Sequence, residues 1–313
     1  MVQQKIGVLV MSYGTPQSLD DVEAYYTHIR RGHAPTAEQL KELTERYEAI
    51  VGGVFPLRKN TDAQVAGLQN RLNELAPDRY VCYQGLKHAA PLIEDGVEQM
   101  AKDDIKQAIG IVLAPHYSVM SVGSYVKRAQ EKADELGIKM KFVKSYHLHP
   151  KLIEALTDRV NNVYEQLAPL QGDKPVKVLF SAHSLPEKIR ELGDPYEHQL
   201  MQTSESIAEN TEIEDWQFTW QSAGRTHEPW LGPDILDTME QVAQQGYKAI
   251  LSAPIGFVSD HLEVLYDLDI EAKEKAAQLG VSFERIAMLN TDPLYMDTLA
   301  ESVITVSAPL GKE

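Results

Sequence analysis

Short apolar stretches of strand length alternate with longer amphipathic stretches along the chain. The first apolar stretch, at 6–11, is continuous, which is typical of a parallel strand with helices on both faces. The pattern predicts eight strands, at 6–11, 79–83, 108–114, 140–143, 176–182, 217–221, 249–253 and 281–285. It predicts helices between them, near 19–31, 36–50, 61–75, 91–102, 121–136, 150–168, 194–209, 233–245, 260–279 and 292–306. Because strands that alternate with helices form βαβ units, we expect an α/β protein with parallel sheets.

Two strand segments of the first half have counterparts, in the same order, in the second half. Residues 8–14 (VLVMSYG) resemble residues 178–184 (VLFSAHS), and residues 111–119 (IVLAPHYSV) resemble residues 250–258 (ILSAPIGFV). At 313 residues the chain is also near the length at which one hydrophobic core divides. We therefore predict two Rossmann-like, doubly wound domains, at 1–145 and 146–291. The pattern leaves open whether the last helix, at about 292–313, packs back onto the first domain.

The composition is that of a globular chain, with 43% apolar and 24% charged residues. The net charge of −16 argues against nucleic acid as a partner and against adhesion to an anionic membrane, since both require clustered Lys and Arg. The single cysteine, Cys82, excludes an internal disulfide. No stretch approaches the roughly 18 apolar residues of a membrane helix, and the N-terminus lacks a signal-peptide cleavage region. We expect a soluble, cytoplasmic protein without stable membrane insertion.

Several common catalytic motifs are missing from the sequence. It contains no Gly-x-Gly-x-x-Gly fingerprint and no P-loop, which disfavours dinucleotide and nucleotide binding. It also contains no Gly-x-Ser-x-Gly elbow and no His-Glu-x-x-His helix, which disfavours a serine hydrolase or a zinc protease.

Polar residues follow several predicted strands directly. They are Tyr13, His88, His116, His183, Ser222 and the segment 256–261. Ligands of open parallel sheets bind beyond the carboxyl ends of the strands. We therefore expect Tyr13, His88 and His183 to face one cleft if the two sheets oppose each other.

His183 lies in the segment SAHSLP, directly after a predicted strand. A histidine at this position suits a metal ligand or a proton acceptor, because its ordinary pKa of about 6.5 leaves it mostly neutral at pH 7. The alternative is a histidine that only satisfies the turn after the strand.

An acidic row lies on the predicted helix at 260–279. Glu263, Asp267 and Glu271 are spaced i, i+4 and i+8, hence along one helical face. Like charges at this spacing repel unless a cation compensates, and carboxylates with histidine suit Fe²⁺ or a related metal. The alternative is a solvated acidic face.

Arg30, Arg31 and Arg46 form a local group of cations in an acidic chain, next to tyrosines at 25, 26 and 47. Guanidinium groups bind carboxylates in a bidentate manner, so this group suits a flat ligand with acidic substituents. The alternative is pairing with nearby glutamates, namely Glu23, Glu42, Glu45 and Glu48.

Specific motifs are spread over nearly the whole chain. The most specific are SAHSLPEKI (181–189) and PIGFVSDHLEVLYDLD (254–269). The others are LVMSYGTP (9–16), YYTHIRRG (25–32), RYEAI (46–50), GLKHAAPLIED (85–95), VLAPHYS (112–118), GDPY (193–196), WQSAG (220–224) and PWLGPD (229–234). Together, and in this order, they resemble the ferrochelatase family, in particular its soluble coproporphyrin branch from Gram-positive bacteria.

The resemblance implies a monomeric type II chelatase that inserts Fe²⁺ into a porphyrin, most specifically coproporphyrin III, in haem biosynthesis. His183 and Glu263 match the metal-site pair of the family and are the predicted catalytic residues. Asp267 and Glu271 match an acidic ladder that leads away from this site, and Tyr13 matches a ligand of the product iron. The predicted substrate-binding residues are Tyr13, Arg30, Arg31, Arg46, Tyr47, Phe55, Lys87, His88 and Tyr125.

Two inner N–H protons must leave the porphyrin before a divalent metal enters its plane. Neutral His183 is the preferred acceptor, with Glu263 orienting it or sharing the metal; the reverse assignment stays open because the pair titrates as a unit. We expect no required cofactor, since Fe²⁺ is a substrate, and leave open a regulatory or structural divalent cation at the acidic face. Transient partners would be an iron donor or other enzymes of haem biosynthesis.

The chain departs from the family pattern after the RYEAI segment, where Phe55 replaces a serine and Val51 is inserted. A hydroxyl that would bind a propionate is thereby lost. Three alternatives remain open: a protoporphyrin IX ferrochelatase, a chelatase for another metal or tetrapyrrole, and a haem-binding carrier without turnover.

Overall fold

The computed structural model describes residues 4–51, 55–224 and 226–308. Two sequence predictions extend beyond this part of the chain. Residues 52–54 and the side chain of Val51, where the insertion was predicted, lie outside it, as do residues 309–313 of the last predicted helix.

The strands of the described residues form two parallel four-stranded sheets. The first sheet contains β1 (Ile6–Ser12), β2 (Tyr80–Leu86), β3 (Gln107–Val112) and β4 (Lys139–Val143), in the order β2-β1-β3-β4. The second contains β5 (Lys177–His183), β6 (Asp215–Gln221), β7 (Ala249–Ala253) and β8 (Ser282–Arg285), in the order β6-β5-β7-β8. The predicted α/β class with parallel sheets is confirmed.

The helices of the described residues lie between the strands, as the periodicity indicates. They are α1 (Val22–Ile29), α2 (Ala37–Val51), α3 (Pro56–Leu75), α4 (Ile93–Lys102), α5 (Val122–Leu136), α6 (Pro150–Leu167), α7 (Tyr196–Glu209), α8 (Ile235–Gln244), α9 (Leu262–Leu265), α10 (Lys273–Leu279) and α11 (Pro293–Ser307). None of them is long and apolar enough to cross a bilayer.

Two predicted helices differ from the structure. The helix predicted at 61–75 begins earlier, at Pro56. Proline is favoured in the first turn of a helix, because the N–H that it lacks would have no partner within the helix at that position. The helix predicted at 260–279 is divided, because α9 is followed by a π-helical segment, Asp267–Ala272, before α10 begins. Such π segments often occur at functional sites.

The central strands explain the continuous apolar runs. Every residue of β1 is buried, and only His183 at the end of β5 is partly exposed. Both strands have a neighbour on each side and helices on both faces, so an alternating pattern would place polar groups in the core.

The equal strand order of the two sheets explains the internal resemblance. Residues 8–14 and 178–184 correspond to β1 and β5, and residues 111–119 and 250–258 correspond to the ends of β3 and β7. In each sheet the connections turn in opposite directions from this central pair of strands, which makes it the topological switch point. A ligand-binding crevice is expected beyond the carboxyl ends of these four strands.

The two halves share packing interactions. The largest apolar cluster contains Val8 and Val10 of the first sheet together with Val178 and Phe180 of the second. Helix α11 packs against α6 and also returns to α3, β3 and β4 of the first half. The boundaries at 1–145 and 146–291 stay a prediction, since the core is continuous across them.

Candidate active site

The carboxyl ends of the central strands border a cavity of about 500 Å³. Tyr13, Leu113, His183 and Gly256 follow or end β1, β3, β5 and β7, and all four line it. The volume is within the roughly 300–1,000 Å³ of small-molecule and cofactor sites. The switch point of each sheet therefore opens into the same cavity.

His183 and Glu263 form a pair on one wall of this cavity. The Nε2 atom of His183 lies 3.4 Å from Oε1 of Glu263, and each side chain is about one-third exposed. The Nδ1 atom of His183 donates to the carbonyl oxygen of Ser184. Because Nδ1 donates its proton to the backbone, Nε2 is the ring nitrogen that is available to bind a metal or to exchange a proton.

The electrostatics of the pair favour an imidazolium and a carboxylate. Burial lowers the pKa of His183, but the charge and hydrogen bond of Glu263 outweigh it and raise the pKa to about 9. Burial raises the pKa of Glu263, but the neighbouring His183 and His261 hold it well below its usual range. In the protein without metal, His183 is therefore mostly protonated at pH 7, which differs from the neutral acceptor expected from its ordinary pKa.

His261 is a residue of the site that the sequence analysis did not single out. Its Nδ1 atom donates to the carbonyl oxygen of Ser259 at 2.9 Å, and its Nε2 atom lies 3.5 Å from Oε2 of Glu263. Each oxygen of Glu263 thus faces one imidazole. The only sequence signal was the place of His261 in the predicted strand-end segment 256–261, two residues before Glu263.

The loop that carries His261 and Glu263 is held at several points. Gly256 packs on β5, where an added Cβ would come within 2.4 Å of the Cβ atom of Ala182. Gln64 of α3 donates to the hydroxyl of Ser259 and to the carbonyl of Asn290, at 2.9 and 2.8 Å. The position of Glu263 therefore depends on contacts from both halves of the chain.

Tyr13 follows β1 and lines the same cavity as His183 and Glu263. It is 42% exposed, and its ring lies 4.6 Å from the ring of His88. His88 is in turn 3.0 Å from His28 through the two Nδ1 atoms. Burial and the charge of Glu263 raise the pKa of Tyr13 well above its ordinary value, so its hydroxyl is protonated at neutral pH. Tyr13 and His183 share the cavity as predicted, whereas His88 packs beside Tyr13.

Tyrosines form much of the remaining wall of the cavity. Tyr25, Tyr47 and Tyr125 are buried and line the cavity, and the hydroxyl of Tyr25 donates to the carbonyl of Gly14 at 3.0 Å. The ring of Phe55 lies 4.7 Å from the ring of Tyr47 and packs beside it, while Pro56 and Leu57 reach the cavity. A flat, largely apolar ligand suits such walls.

The predicted arginine group is divided in the structure. Arg46 lines the cavity and forms an ion pair with Asp267, and its guanidinium lies 4.4 Å from the ring centre of Tyr266. Arg30 instead lies over the ring of Tyr26, at 5.6 Å. Arg46 therefore pairs with a carboxylate that lies 221 positions away in the sequence.

The predicted acidic row is also divided between two cavities, and the chain changes from α to π geometry within it. Glu263 faces the main cavity, whereas Asp267 and Glu271 line a second cavity of about 280 Å³. Burial raises the pKa of Asp267 to about 6, an effect that Arg46 and Ser222 oppose. Arg46 lines both cavities and separates the two acidic groups.

The imidazole and carboxylate groups of the main cavity suit transient binding of a metal ion. Among the described residues, no group of three or more His, Cys, Asp or Glu side chains is arranged to hold one. An imidazole nitrogen and a carboxylate are nevertheless ligands that Fe²⁺ accepts, and open positions around the ion would remain for a second ligand.

The fold resembles that of known chelatases. The sirohydrochlorin chelatase SirB from Bacillus subtilis subspecies spizizenii, in complex with cobalt, matches with a TM-score of 0.60 at 11% identity, over 99% of this chain and 98% of that one. CbiX, described as the terminal enzyme of sirohaem biosynthesis in denitrifying bacteria, matches with a TM-score of 0.55 at 11% identity, over 96% and 98%. The type II chelatase fold is thereby confirmed.

Sequence comparison gives a more specific result. The coproporphyrin III ferrochelatase of Oceanobacillus iheyensis is 48% identical over 97% of this chain and 97% of its own length. That of Geobacillus thermodenitrificans is 46% identical over 100% and 99%. Residues 5–306 match the family described as Ferrochelatase. The chain therefore belongs to the ferrochelatase family.

Proposed function

We propose that this protein inserts Fe²⁺ into coproporphyrin III in haem biosynthesis. The observation that carries the proposal is the His183–Glu263 pair, which shares one tyrosine-lined cavity with Tyr13. The extensive identity with proteins named coproporphyrin III ferrochelatase supports the choice of porphyrin.

The reaction exchanges two protons for one divalent cation. Both N–H bonds of the macrocycle break, four Fe–N bonds form, and two protons leave to bases of the site or to water. Iron enters and stays ferrous, so the proposal includes no redox cofactor. The protein would contribute a proton acceptor, a path for the metal and a rigid cavity that holds the macrocycle.

His183 and Glu263 would act as one unit in this exchange. The proton on His183 Nε2 must leave before that nitrogen binds Fe²⁺ or accepts a pyrrole proton. An arriving cation next to Glu263 favours this loss, because it replaces the positive charge of the imidazolium. His261, on the other oxygen of Glu263, would keep the carboxylate oriented after the proton has moved.

The remaining lining residues would hold the macrocycle. Tyr47 and Tyr125 offer aromatic surface, Tyr13 would approach the metal from the opposite face, and Lys87 and Arg46 would carry positive charge near the carboxylates. Arg30, Arg31, Phe55 and His88 lie beside lining residues and would support them. We further propose a cytoplasmic monomer that meets an iron donor or other haem-pathway enzymes transiently.

The test is metal insertion by purified protein under anaerobic conditions, with coproporphyrin III and protoporphyrin IX compared side by side. Loss of the free-porphyrin absorption with Fe²⁺, faster for coproporphyrin III, is the expected result. Faster turnover of protoporphyrin IX would show that protoporphyrin IX, and not coproporphyrin III, is the preferred substrate. Binding of both porphyrins without turnover of either would instead favour a haem-binding carrier.

A further inference from the structure

Lys87 is an unusually placed cation at the end of β2. It lines the main cavity, and its Nζ atom lies 4.9 Å from the ring centre of Tyr125. Within the described part of the chain, no carboxylate forms an ion pair with it. Burial first, and then the charges of Arg128 and Arg31, lower the pKa of Lys87 to about 8. A partly buried ammonium near two guanidinium groups is a site that an anionic group would stabilise.

The backbone of Lys87 is held on both sides. Its N–H donates to the carbonyl of Ser12 at 2.9 Å, and its carbonyl accepts from Nη1 of Arg128 at 2.8 Å. The first bond continues the pairing of β2 with β1, whereas the second comes from helix α5. Arg128 is not among the described residues that line the cavity, and this bond connects it to Lys87, which does line it.

Arg128 is itself locked by Glu94 of α4. Its Nε and Nη2 atoms donate to the two carboxylate oxygens of Glu94, at 2.7 and 2.6 Å. This bidentate pair fixes the plane of the guanidinium, so that Nη1 points to the carbonyl of Lys87. The charge of Arg128 is then matched by Glu94, while the charge of Lys87 is left for a ligand.

The structure offers a matched pair for comparison, one helical turn along the same two helices. Lys132 of α5 lies 2.8 Å from Glu98 of α4, and it also pairs with Glu135 at 3.0 Å. Lys132 and Glu98 tie α5 to α4 as Arg128 and Glu94 do, but no hydrogen bond of Lys132 leads to Lys87. A purely structural role would make the two pairs equivalent.

We propose that Arg128, held by Glu94, is a positioning residue that fixes Lys87 so that its ammonium binds a carboxylate at the edge of the macrocycle. The inference rests on the proposed function, since it takes a carboxylated porphyrin as the ligand. It adds two residues outside the cavity to the determinants of substrate binding.

A double-mutant cycle tests whether Arg128 acts through Lys87. Metal-free coproporphyrin III is titrated by fluorescence against the full-length wild type, Lys87→Met, Arg128→Gln and the double variant. Lys87→Met is expected to weaken binding about tenfold, the value of one hydrogen bond to a charged group. Arg128→Gln is expected to weaken binding about threefold alone and not further in the Lys87→Met background. Additive losses would overturn the inference.

Kinetics provide a second readout that a general loss of structure would not give. Arg128→Gln and Glu94→Gln should raise the KM for coproporphyrin III, with kcat and the KM for Fe²⁺ unchanged. Lys132→Gln, the matched control, should leave the KM for the porphyrin at the wild-type value. Equal effects of Arg128→Gln and Lys132→Gln would contradict the inference.

The outcomes separate this inference from the proposed function. Wild-type protein that neither binds nor metallates the porphyrin overturns the proposed function and the inference with it. Wild-type protein that does both, combined with an additive cycle, overturns only the role of Arg128.

Discussion

Each ring nitrogen of His183 faces an oxygen, one from the backbone and one from a carboxylate. Its Nδ1 atom donates to a backbone carbonyl, and its Nε2 atom faces the carboxylate of Glu263. The first contact sets the tautomer, and the second stabilises the protonated ring. Glu263 therefore decides the protonation state of His183 at pH 7.

We predict that His183→Ala lowers the rate of Fe²⁺ insertion by at least about 100-fold, the usual contribution of a general acid–base residue. Porphyrin affinity should change little, because the tyrosine walls and the cations of the cavity remain. Anaerobic absorption assays and fluorescence titration measure the two quantities separately. His198→Ala, an exposed histidine of α7, is the control. Insertion at the wild-type rate in His183→Ala would remove this residue from the mechanism.

Lys87 predicts a pH dependence of porphyrin binding. A lysine with a pKa of about 8 is mostly charged at pH 7 and mostly neutral at pH 9. Carboxylates of a porphyrin are ionised throughout this range. The Kd for metal-free coproporphyrin III should therefore rise from pH 7 to pH 9. In Lys87→Met the fluorescence titrations should give a smaller rise in Kd, because His183, with a pKa of about 9, is then the cavity group that still loses charge towards pH 9. The same rise in both proteins would contradict the assignment.

At the scale of elements, the site is built from the ends of strands and from one interrupted helix. The central strands place Tyr13 and His183 at the cavity because the carboxyl ends of all parallel strands meet at one edge of a sheet. The segment after β7 changes from α to π geometry at Asp267, and Glu263 and Asp267 line different cavities. The carboxylate that pairs with His183 and the buried partner of Arg46 therefore belong to different cavities.

We predict that Arg46→Met destabilises the protein by about 2 kcal/mol in urea unfolding, because it leaves the buried carboxylate of Asp267 without its cation. The figure is below the range for fully buried pairs because Arg46 is 27% exposed. The double variant Arg46→Met, Asp267→Asn should recover most of the loss, since the amide can still accept from Ser222. A double variant no more stable than Arg46→Met would show that the ion pair is not the cause.

The periodicity predicted every strand of both sheets, because a buried parallel strand needs an apolar run and its two ends need breaks. It failed at two helices for physical reasons. Pro56 is compatible with the first turn of a helix but is usually taken as a breaker, so α3 was predicted to begin too late. The division of the helix at 260–279 was not predicted, because one extra residue in a turn hardly changes the pattern of apolar positions.

At the scale of the whole molecule, the two sheets are parts of one packed structure. The largest apolar cluster spans both of them, and α11 packs against elements of both halves. Ion pairs repeat this connection, since Asp297 of α11 binds Arg71 of α3 and Lys151 of α6. The loop of Glu263 is likewise tied to α3 through Gln64.

We predict that the two halves unfold together in urea. The three tryptophans, Trp216, Trp220 and Trp230, lie in the second half, and the single cysteine, Cys82, lies in β2 of the first. Tryptophan fluorescence and the thiol reactivity of Cys82 therefore report on different halves, and their transitions should coincide. Two separate midpoints would instead show that the predicted domains are independent units.

The amino-acid sequence alone determined the alternation of strands and helices and the similarity of the two halves, and its motifs selected His183 and Glu263 as candidate site residues. Apolar periodicity and motifs are local properties of the chain. The tertiary structure decided which charges meet. Arg46 pairs with Asp267 across 221 positions, and Glu263 raises the pKa of His183. Arg128 of α5 donates to the backbone carbonyl of Lys87, which follows β2. Electrostatic energies depend on distance and burial, and neither quantity exists until distant segments have packed together.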